Sequence, residues 1–225
     1  MSSDLSHLEE AALSPREELL NALSHGLAAL VTVGAGAVMI TLAAQRGNTY
    51  QIVSAGVFCG ALLLLMVAST LYHAITHPIA KVRLKVFDHC AIFALIAGTY
   101  TPFTLVSLQN DVYGNWGWSL FGLIWGLALV GIVFKLFYTG RFKGLSTAIY
   151  LAMGWLVLLA IKPIWQAVDG FSLSMLFAGG MAYTLGAGFY MAKRIPYSHV
   201  IWHLFVILGS ACHFIAVFGQ VTQPR

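Results

Sequence analysis

The feature that most constrains this chain is a series of long apolar runs that contain few charged residues. Only 9% of the 225 residues are charged, against about 25% in a typical soluble domain, which argues against a water-soluble fold. A membrane-spanning helix needs about 17–25 mostly apolar residues, and seven runs reach that length. We therefore predict an all-α integral membrane protein, a seven-transmembrane helix bundle. The runs are 25–45, 51–74, 87–106, 116–137, 145–161, 171–191 and 199–219.

The lysines and arginines near the ends of these runs predict the orientation. Nine lie on one side of the predicted bundle and three on the other. Because Lys and Arg concentrate in cytoplasmic segments, we predict a cytoplasmic N-terminus and, with seven spans, an external C-terminus. The larger group comprises Arg16, Lys81, Arg83, Lys85, Lys135, Arg141, Lys143, Lys193 and Arg194, and the smaller group comprises Arg46, Lys162 and Arg225.

A helix-start signal precedes the first run. Ser14 is suited to the N-cap, Pro15 to the first helical position, and Glu17 to the reciprocal bond of a capping box. We therefore expect a short cytoplasmic interfacial helix before the membrane domain. The chain divides into a flexible tail over 1–13, this helix over 14–24, the seven-helix membrane domain over 25–219 and an external tail over 220–225.

Glu17, Asn21 and His25 recur at i, i+4 and i+8 in this region. Such spacing puts the three side chains on one helix face. That face either points into the neighbouring helices, next to any polar site there, or is a solvated interfacial face. The sequence leaves both interpretations open.

Ionisable side chains inside spans are costly and mark functional sites. With the predicted topology, His73, Asp88, His199 and His203 all fall at one depth, near the cytoplasmic ends of their helices. His199 and His203, at i and i+4, share a helix face, a spacing at which two imidazoles can bind one metal ion. Nitrogen ligands favour zinc over calcium or magnesium. His73 would be the third ligand, and three ligands leave the fourth position open, as is typical of catalytic zinc. The alternative to a metal site is that these histidines are neutral and hydrogen-bonded across a helix interface.

Asp88 and Ser69 are the candidate catalytic partners of this site. A short connection separates His73 from Asp88, so their helices should be antiparallel neighbours, with the carboxylate near the metal. Asp88 would either orient a ligand or take a proton from water. Ser69 lies one turn before His73 and would hydrogen-bond to the water or to Asp88, unless its hydroxyl bonds back to its own helix.

Three other features carry structural expectations. His213 lies about 15 Å beyond His203 by helical rise, so it should make an interhelical hydrogen bond instead of binding the same ion. Pro102 should kink the third span near its middle. Small residues allow close helix contact in lipid, and the expected positions are Gly34, Gly36, Gly179, Gly180, Gly186 and Gly188.

Several of these residues belong to motifs that resemble the hemolysin III proteins, the bacterial branch of the progestin and adipoQ receptor family. That family is grouped with the alkaline ceramidases as membrane hydrolases. The similarity extends over nearly the whole chain from residue 17. Its motifs here are EELLNALSHG (17–26), ASTLYHA (68–74), FDH (87–89) followed by AGTYTP (97–102), and SHVIWH (198–203).

The resemblance implies seven helices with a cytoplasmic N-terminus and zinc held by His73, His199 and His203. It places Asp88 and Ser69 around the metal. It also implies a multi-pass protein of the bacterial inner membrane, with a role in lipid and energy homeostasis. Receptor activity does not carry over, because this short chain scarcely has the outer parts with which receptor members bind ligands.

Three functions remain open. In the first, zinc activates water for attack on an amide or ester bond of a membrane lipid, and Asp88 handles the proton. In the second, the protein is a non-enzymatic sensor or regulator that zinc stabilises. A pore-forming hemolysin or transporter is ranked last, because the polar side chains cluster at one end of the predicted bundle. The expected partner is a membrane lipid and not a nucleic acid, and self-association is left open.

Overall fold

The computed structural model describes residues 13–109, 112–192 and 194–224, and the regular secondary structure in this part of the chain is all helical. Most of the predicted N-terminal tail, together with Lys193 and Arg225, lies outside the described residues. A 3-10 segment, Trp155–Ala160, joins α5 to α6, so that Lys143–Ala167 is one helical rod. The helices are α1 (Pro15–Arg46), α2 (Thr49–Ala74), α3 (Pro78–Pro102), α4 (Gly114–Tyr138), α5 (Lys143–Gly154), α6 (Ile161–Ala167), α7 (Gly170–Met191) and α8 (Ser198–Val221).

The start of α1 agrees with the predicted capping box. The Ser14 side chain accepts a hydrogen bond from the Glu17 backbone N–H at 3.2 Å, and the Glu17 carboxylate accepts one from the Ser14 backbone N–H at 3.1 Å. The backbone N–H groups of Ser14 and Glu17, at the start of α1, thereby both have hydrogen-bond acceptors. No break separates residues 14–24 from the first span, so the predicted interfacial helix forms the first turns of α1.

Among the described residues, six helical segments are long and apolar enough to cross a membrane. They are α1, α2, α3 with its extension to Ser107, α4, the rod Lys143–Ala167, and α8. The remaining long helix, α7, has 22 residues but is not among the six; five of its residues are glycines. It packs along α8, while α1, α2 and α3 are successive neighbours. The protein is thus a multi-pass membrane protein, and the seventh span and the orientation stay predictions.

The connections differ from the predicted ones at two places. Helix α3 begins at Pro78, so the basic residues up to Lys85, which fall between the predicted runs 51–74 and 87–106, are helical. Lys162 and Pro163, which fall between the predicted runs 145–161 and 171–191, lie in the first turn of α6. Proline is tolerated there because the first-turn N–H groups have no intrahelical partner.

Pro102 lies near the end of the continuous segment Pro78–Ser107, and not near the middle of the span as predicted. The α-helix ends at this residue and a π-helical turn, Phe103–Ser107, continues it. A proline cannot donate to the α-helical ladder. The change in helix type therefore falls where the donor is missing.

The close packing of α7 on α8 depends on Gly179. A Cβ atom at this position would overlap the His213 ring and lie 3.0 Å from the Gly209 carbonyl oxygen. The prediction for His213 is confirmed, because its Nε2 donates to the Leu176 carbonyl of α7 at 3.1 Å. Added Cβ atoms at Gly34 and Gly188 would meet nothing within 4 Å. For those two glycines the predicted close approach is wrong, because their helix surfaces face open space.

Candidate metal centre

Three histidines converge at one end of the bundle. His73 lies in the last turn of α2, and His199 and His203 lie in the first two turns of α8. One ring nitrogen from each comes within 4.8 Å of the others, and the ring centroids are 4.9–5.1 Å apart. His73 and His203 are buried and His199 is half-buried. The three side chains could together hold one metal ion.

A carboxylate on α1 orients His73. Nδ1 of His73 donates to Glu18 Oε2 at 2.6 Å, and Lys81 Nζ lies 3.0 Å from the other carboxylate oxygen. Since a neutral imidazole has one donor and one acceptor nitrogen, this bond leaves Nε2 with the lone pair. Nε2 is buried and has no hydrogen-bond partner among the described residues. A carboxylate that fixes the ring while the other nitrogen stays free is the usual arrangement around a metal-binding histidine.

The sequence prediction named Glu17 beside the site, and the structure puts Glu18 there instead. Glu17 accepts hydrogen bonds from Ser14 at the helix start. A signal for Glu18 existed: Glu18, Asn21 and His25 are spaced i, i+3 and i+7, which also defines one helix face. Because the capping box already uses Glu17, its neighbour is the carboxylate left to face the bundle.

Nitrogen ligands in this arrangement fit a zinc ion. Tetrahedral zinc with Zn–N distances of about 2.0–2.1 Å needs ligand atoms about 3.3 Å apart, so the imidazoles would have to draw together slightly. Nδ1 of His203, like Nε2 of His73, is buried and without a partner in the described structure. Unsatisfied buried nitrogens are costly. Coordination to a metal ion would satisfy at least the one on His73.

Asn21 and His25 lie inside the bundle behind His203. Their exposed fractions are 0% and 2%, so their shared face is not solvated at these two positions. The His25 ring stacks on the His203 ring, with centroids 3.8 Å apart and an interplanar angle of 14°. The contact limits how His203 can rotate.

Asp88 and Ser69 line the same cavity as His199 and His203. Ser69 donates a hydrogen bond to the Asp88 carboxylate, in agreement with one of the two roles considered for Ser69. The Asp88 side chain is 15% exposed, and one of its oxygens is 3.7 Å from His89 Nδ1. Asp88 therefore has a hydrogen-bond partner but keeps access to the cavity.

The cavity beside the histidines has a volume of about 140 Å³ and continues toward the apolar interior. A second cavity, of about 600 Å³, lies beyond it. Both are lined by Tyr100, Gly154, Trp155, Gly180 and His213, so they adjoin. The larger one is within the usual 300–1,000 Å³ of small-molecule sites.

These features define a multi-pass helical membrane protein with a histidine cluster at one end of the bundle and an apolar cavity next to it. The profile of the haemolysin-III related family matches residues 13–214. The chain belongs to this family, and the resemblance seen in the motifs is confirmed.

Individual relatives agree with this assignment. The chain is 46% identical over 202 residues to "Hemolysin-3 homolog" of Bacillus subtilis (strain 168), covering 90% of this chain and 93% of the relative. It is 43% identical over 206 residues to "Hemolysin-3" of Bacillus cereus, with 92% of each chain covered. It is 27% identical over 179 residues to "Monocyte to macrophage differentiation factor" of Homo sapiens, covering 76% and 71%.

Proposed function

We propose that the protein is a zinc-dependent hydrolase of the bacterial inner membrane, acting on an amide or ester bond of a membrane lipid in lipid homeostasis. One observation carries the proposal. Three histidines could hold a metal ion, and two of them, His199 and His203, line a cavity together with the carboxylate of Asp88; this cavity adjoins a larger apolar one.

The residues of the site have distinct tasks in this proposal. His73, His199 and His203 would hold the zinc ion, and Glu18 would keep His73 in the correct tautomer. When bound, zinc acts as a Lewis acid and lowers the pKa of a coordinated water molecule. The Asp88 carboxylate would accept a proton from the attacking water and later return it to the leaving group. Ser69, by donating to Asp88, would hold the carboxylate in position.

The larger cavity gives the lipid a route of entry from the side. Leu158, Trp165 and Phe177 contribute to its lining and are exposed on the outside of the bundle. In a membrane, these side chains would contact lipid tails. An acyl chain could therefore occupy the apolar cavity while the polar part of the lipid reaches the histidines.

The test compares purified wild type, Asp88→Asn and His203→Ala for zinc content, melting temperature and fatty-acid release from a panel of amide- and ester-linked lipids. Asp88→Asn should keep its zinc and lose hydrolysis, because the amide has a similar shape but cannot take the proton. His203→Ala should lose both. If Asp88 instead serves mainly to orient a ligand, Asp88→Asn should weaken zinc binding by about 10–100-fold.

A second function is favoured by the placement of the site. Glu18, His73 and the pair His199 and His203 belong to α1, α2 and α8, so a metal ion would tie these helix ends together. A zinc-stabilised sensor or regulator would use the same ligands without turnover. Absence of release by zinc-loaded wild type across a broad panel would favour it over the hydrolase.

The proposed orientation can be tested separately. Because the basic residues concentrate near the histidine end, we expect that end to face the cytoplasm. Reporter fusions after Tyr138 should give a cytoplasmic signal, and fusions after Val168 an external one. The reverse pattern would refute the orientation.

A further inference from the structure

The two cavities described above meet in the middle of the bundle, in a region that we name the cavity junction. Six residues line both cavities and define it: Thr99, Tyr100, Gly154, Trp155, Gly180 and His213. His213 follows His203 by ten residues on α8, and Thr99 follows Asp88 by eleven on α3. Both helices run away from the candidate metal centre, so their rise places the cavity junction about 15–16 Å from it.

The packing of α7 fixes the orientation of the His213 ring. A Cβ atom added at Gly179 would overlap Cδ2 and Nε2 of this ring, so the edge that joins these two atoms faces α7. Nε2 donates to the Leu176 carbonyl of α7 at 3.1 Å. In the five-membered ring, Nδ1 is opposite this edge, so it points away from α7. Nδ1 is therefore the polar atom that His213 presents to the cavity junction.

Nδ1 of His213 is a hydrogen-bond acceptor without a donor. The neutral imidazole is the form that apolar surroundings favour, and because Nε2 carries the proton, Nδ1 has the lone pair. Leu176 is the only hydrogen-bonding partner of His213 among the described residues. The His213 side chain is half-buried and lines both cavities. A ligand that donates a hydrogen bond at this place would therefore satisfy Nδ1.

The other polar side chains of the cavity junction direct their protons into the protein. The Tyr100 hydroxyl donates to carbonyl groups at the end of α5 at 2.8–3.0 Å. Trp155 Nε1 donates to the Thr184 hydroxyl at 3.0 Å. The Thr99 hydroxyl donates to the Leu95 carbonyl of its own helix at 2.8 Å. The described side chains of the cavity junction thus offer acceptors to a ligand and no free donor.

We propose that the cavity junction recognises a hydroxyl group on the chain of the bound lipid, which donates a hydrogen bond to Nδ1 of His213. A site built to bind a hydroxyl group disfavours a ligand that lacks it, because the polar group of the protein is then left unpaired. Thr99 supplies a second polar contact at the same depth, since a threonine hydroxyl that bonds back to its own helix can turn toward a ligand.

The distance from the metal centre defines where on the chain this hydroxyl group lies. An extended chain advances about 1.2 Å per bond. The hydroxyl group is therefore about 12 bonds from a carbonyl group at the metal centre, near the middle of a long acyl chain. The ligand class is a lipid with a mid-chain hydroxylated acyl group.

This inference rests on the proposed function for the presence and direction of the lipid, but not for turnover. The test therefore measures binding. Purified zinc-loaded protein in neutral detergent is titrated with octadecanoic acid, 12-hydroxyoctadecanoic acid or 6-hydroxyoctadecanoic acid, which have the same chain length. Affinity is measured by competition with a fluorescent fatty acid. Hydrolysis is assayed separately on the lipid panel, so an inactive protein with a clear binding preference would refute the hydrolase and leave this inference standing.

Four variants locate the recognition. His213→Leu removes the acceptor, and His213→Gln keeps one donor and one acceptor. Thr99→Val removes the second polar contact while keeping a similar shape. The matched control is Thr104→Val, because Thr104 lines the larger cavity only and its hydroxyl also bonds back to its own helix, at the Tyr100 carbonyl.

Wild type should bind 12-hydroxyoctadecanoic acid about 3–10-fold more tightly than octadecanoic acid, the effect of one hydrogen bond. The 6-hydroxy acid should bind about as octadecanoic acid does. His213→Leu should abolish the preference, His213→Gln should keep part of it, and Thr99→Val should reduce it by about twofold. Thr104→Val should keep the full preference.

Three results would overturn the proposal. The first is equal affinity of the wild type for the 12-hydroxy acid and octadecanoic acid, or no binding of any of the three acids. The second is an equal preference for both hydroxylated acids, which would place the recognition away from the cavity junction. The third is a full preference in folded His213→Leu. Should His213→Leu fail to fold, the comparison of the two hydroxylated acids in the wild type and the loss in Thr99→Val decide the proposal.

Discussion

Removing the carboxylate of Glu18 should weaken zinc binding without removing a ligand. The bond from His73 Nδ1 to Glu18 Oε2, at 2.6 Å, fixes the ring and its tautomer. Loss of such a supporting carboxylate typically lowers metal affinity by about 10–100-fold, which equals about 1.4–2.7 kcal/mol. Glu18→Gln keeps an acceptor oxygen and should fall near the lower limit, whereas Glu18→Ala removes the acceptor and should approach the upper one.

The neighbouring residue provides the control. Glu17 is also an acidic residue in the first turn of α1, but its carboxylate accepts hydrogen bonds from Ser14 and not from a histidine. Glu17→Gln should therefore change zinc affinity by less than about threefold. Any effect should instead appear in the stability of the helix start, where a lost cap costs about 0.5–2 kcal/mol.

Zinc affinity is measured by competition with a chromophoric chelator, on purified protein at one pH and one ionic strength. A further variant, Lys81→Met, removes the ion pair at 3.0 Å while leaving the bond to His73. A partly exposed pair of this kind contributes about 0–1 kcal/mol, so this variant should bind zinc nearly as wild type does. Equal zinc affinities for Glu18→Ala and Glu17→Gln would refute the role assigned to Glu18.

Two further predictions concern packing and pH. Gly179→Ala should lower the free energy of unfolding by about 1–3 kcal/mol, because the new methyl group would overlap the His213 ring. The control, Gly188→Ala, changes a position where an added Cβ atom meets nothing, so it should leave the stability nearly unchanged. Equal melting temperatures for the two variants would contradict the packing argument. Hydrogen bonds from the Ser172 side chain and backbone N–H lower the pKa of Asp169, the N-cap of α7. The stabilisation that ionised Asp169 gives to the folded protein should be present above about pH 3.9, the pKa of an Asp side chain in an unfolded chain. It should be lost as the pH falls through the lower pKa that Asp169 has in the folded protein. Asp169→Asn should flatten this acid-side decline in melting temperature, and an unchanged decline would show that Asp169 does not cause it.

The apolar runs and the spacing of the histidines were sufficient to predict much of this protein. Spans of about 20 apolar residues can satisfy their backbone only as helices in lipid, so the helical class follows from composition and length. The i, i+4 spacing of His199 and His203 puts them on one face of any helix. His73 was predicted as the third member of the cluster because the predicted topology puts it at the same depth in the membrane, and the structure places all three rings together. The capping box at Ser14 was also predictable from the sequence, because it depends only on two residues three positions apart.

The tertiary structure alone decided which side chains surround that cluster. Helical periodicity alone puts both Glu17 and Glu18 on a face with Asn21 and His25; the capping box at Ser14 favours Glu18 by using Glu17, but only the packing of α1 against α2 shows that Glu18 contacts His73. Periodicity could not show that Lys85 and Lys135, from different helices, line one small cavity. Nor could it show that Lys162 continues a helix. Spacing along a chain reports which residues share a face, whereas contacts between helices depend on their relative rotation and depth, and these are set by the packing of all the helices together.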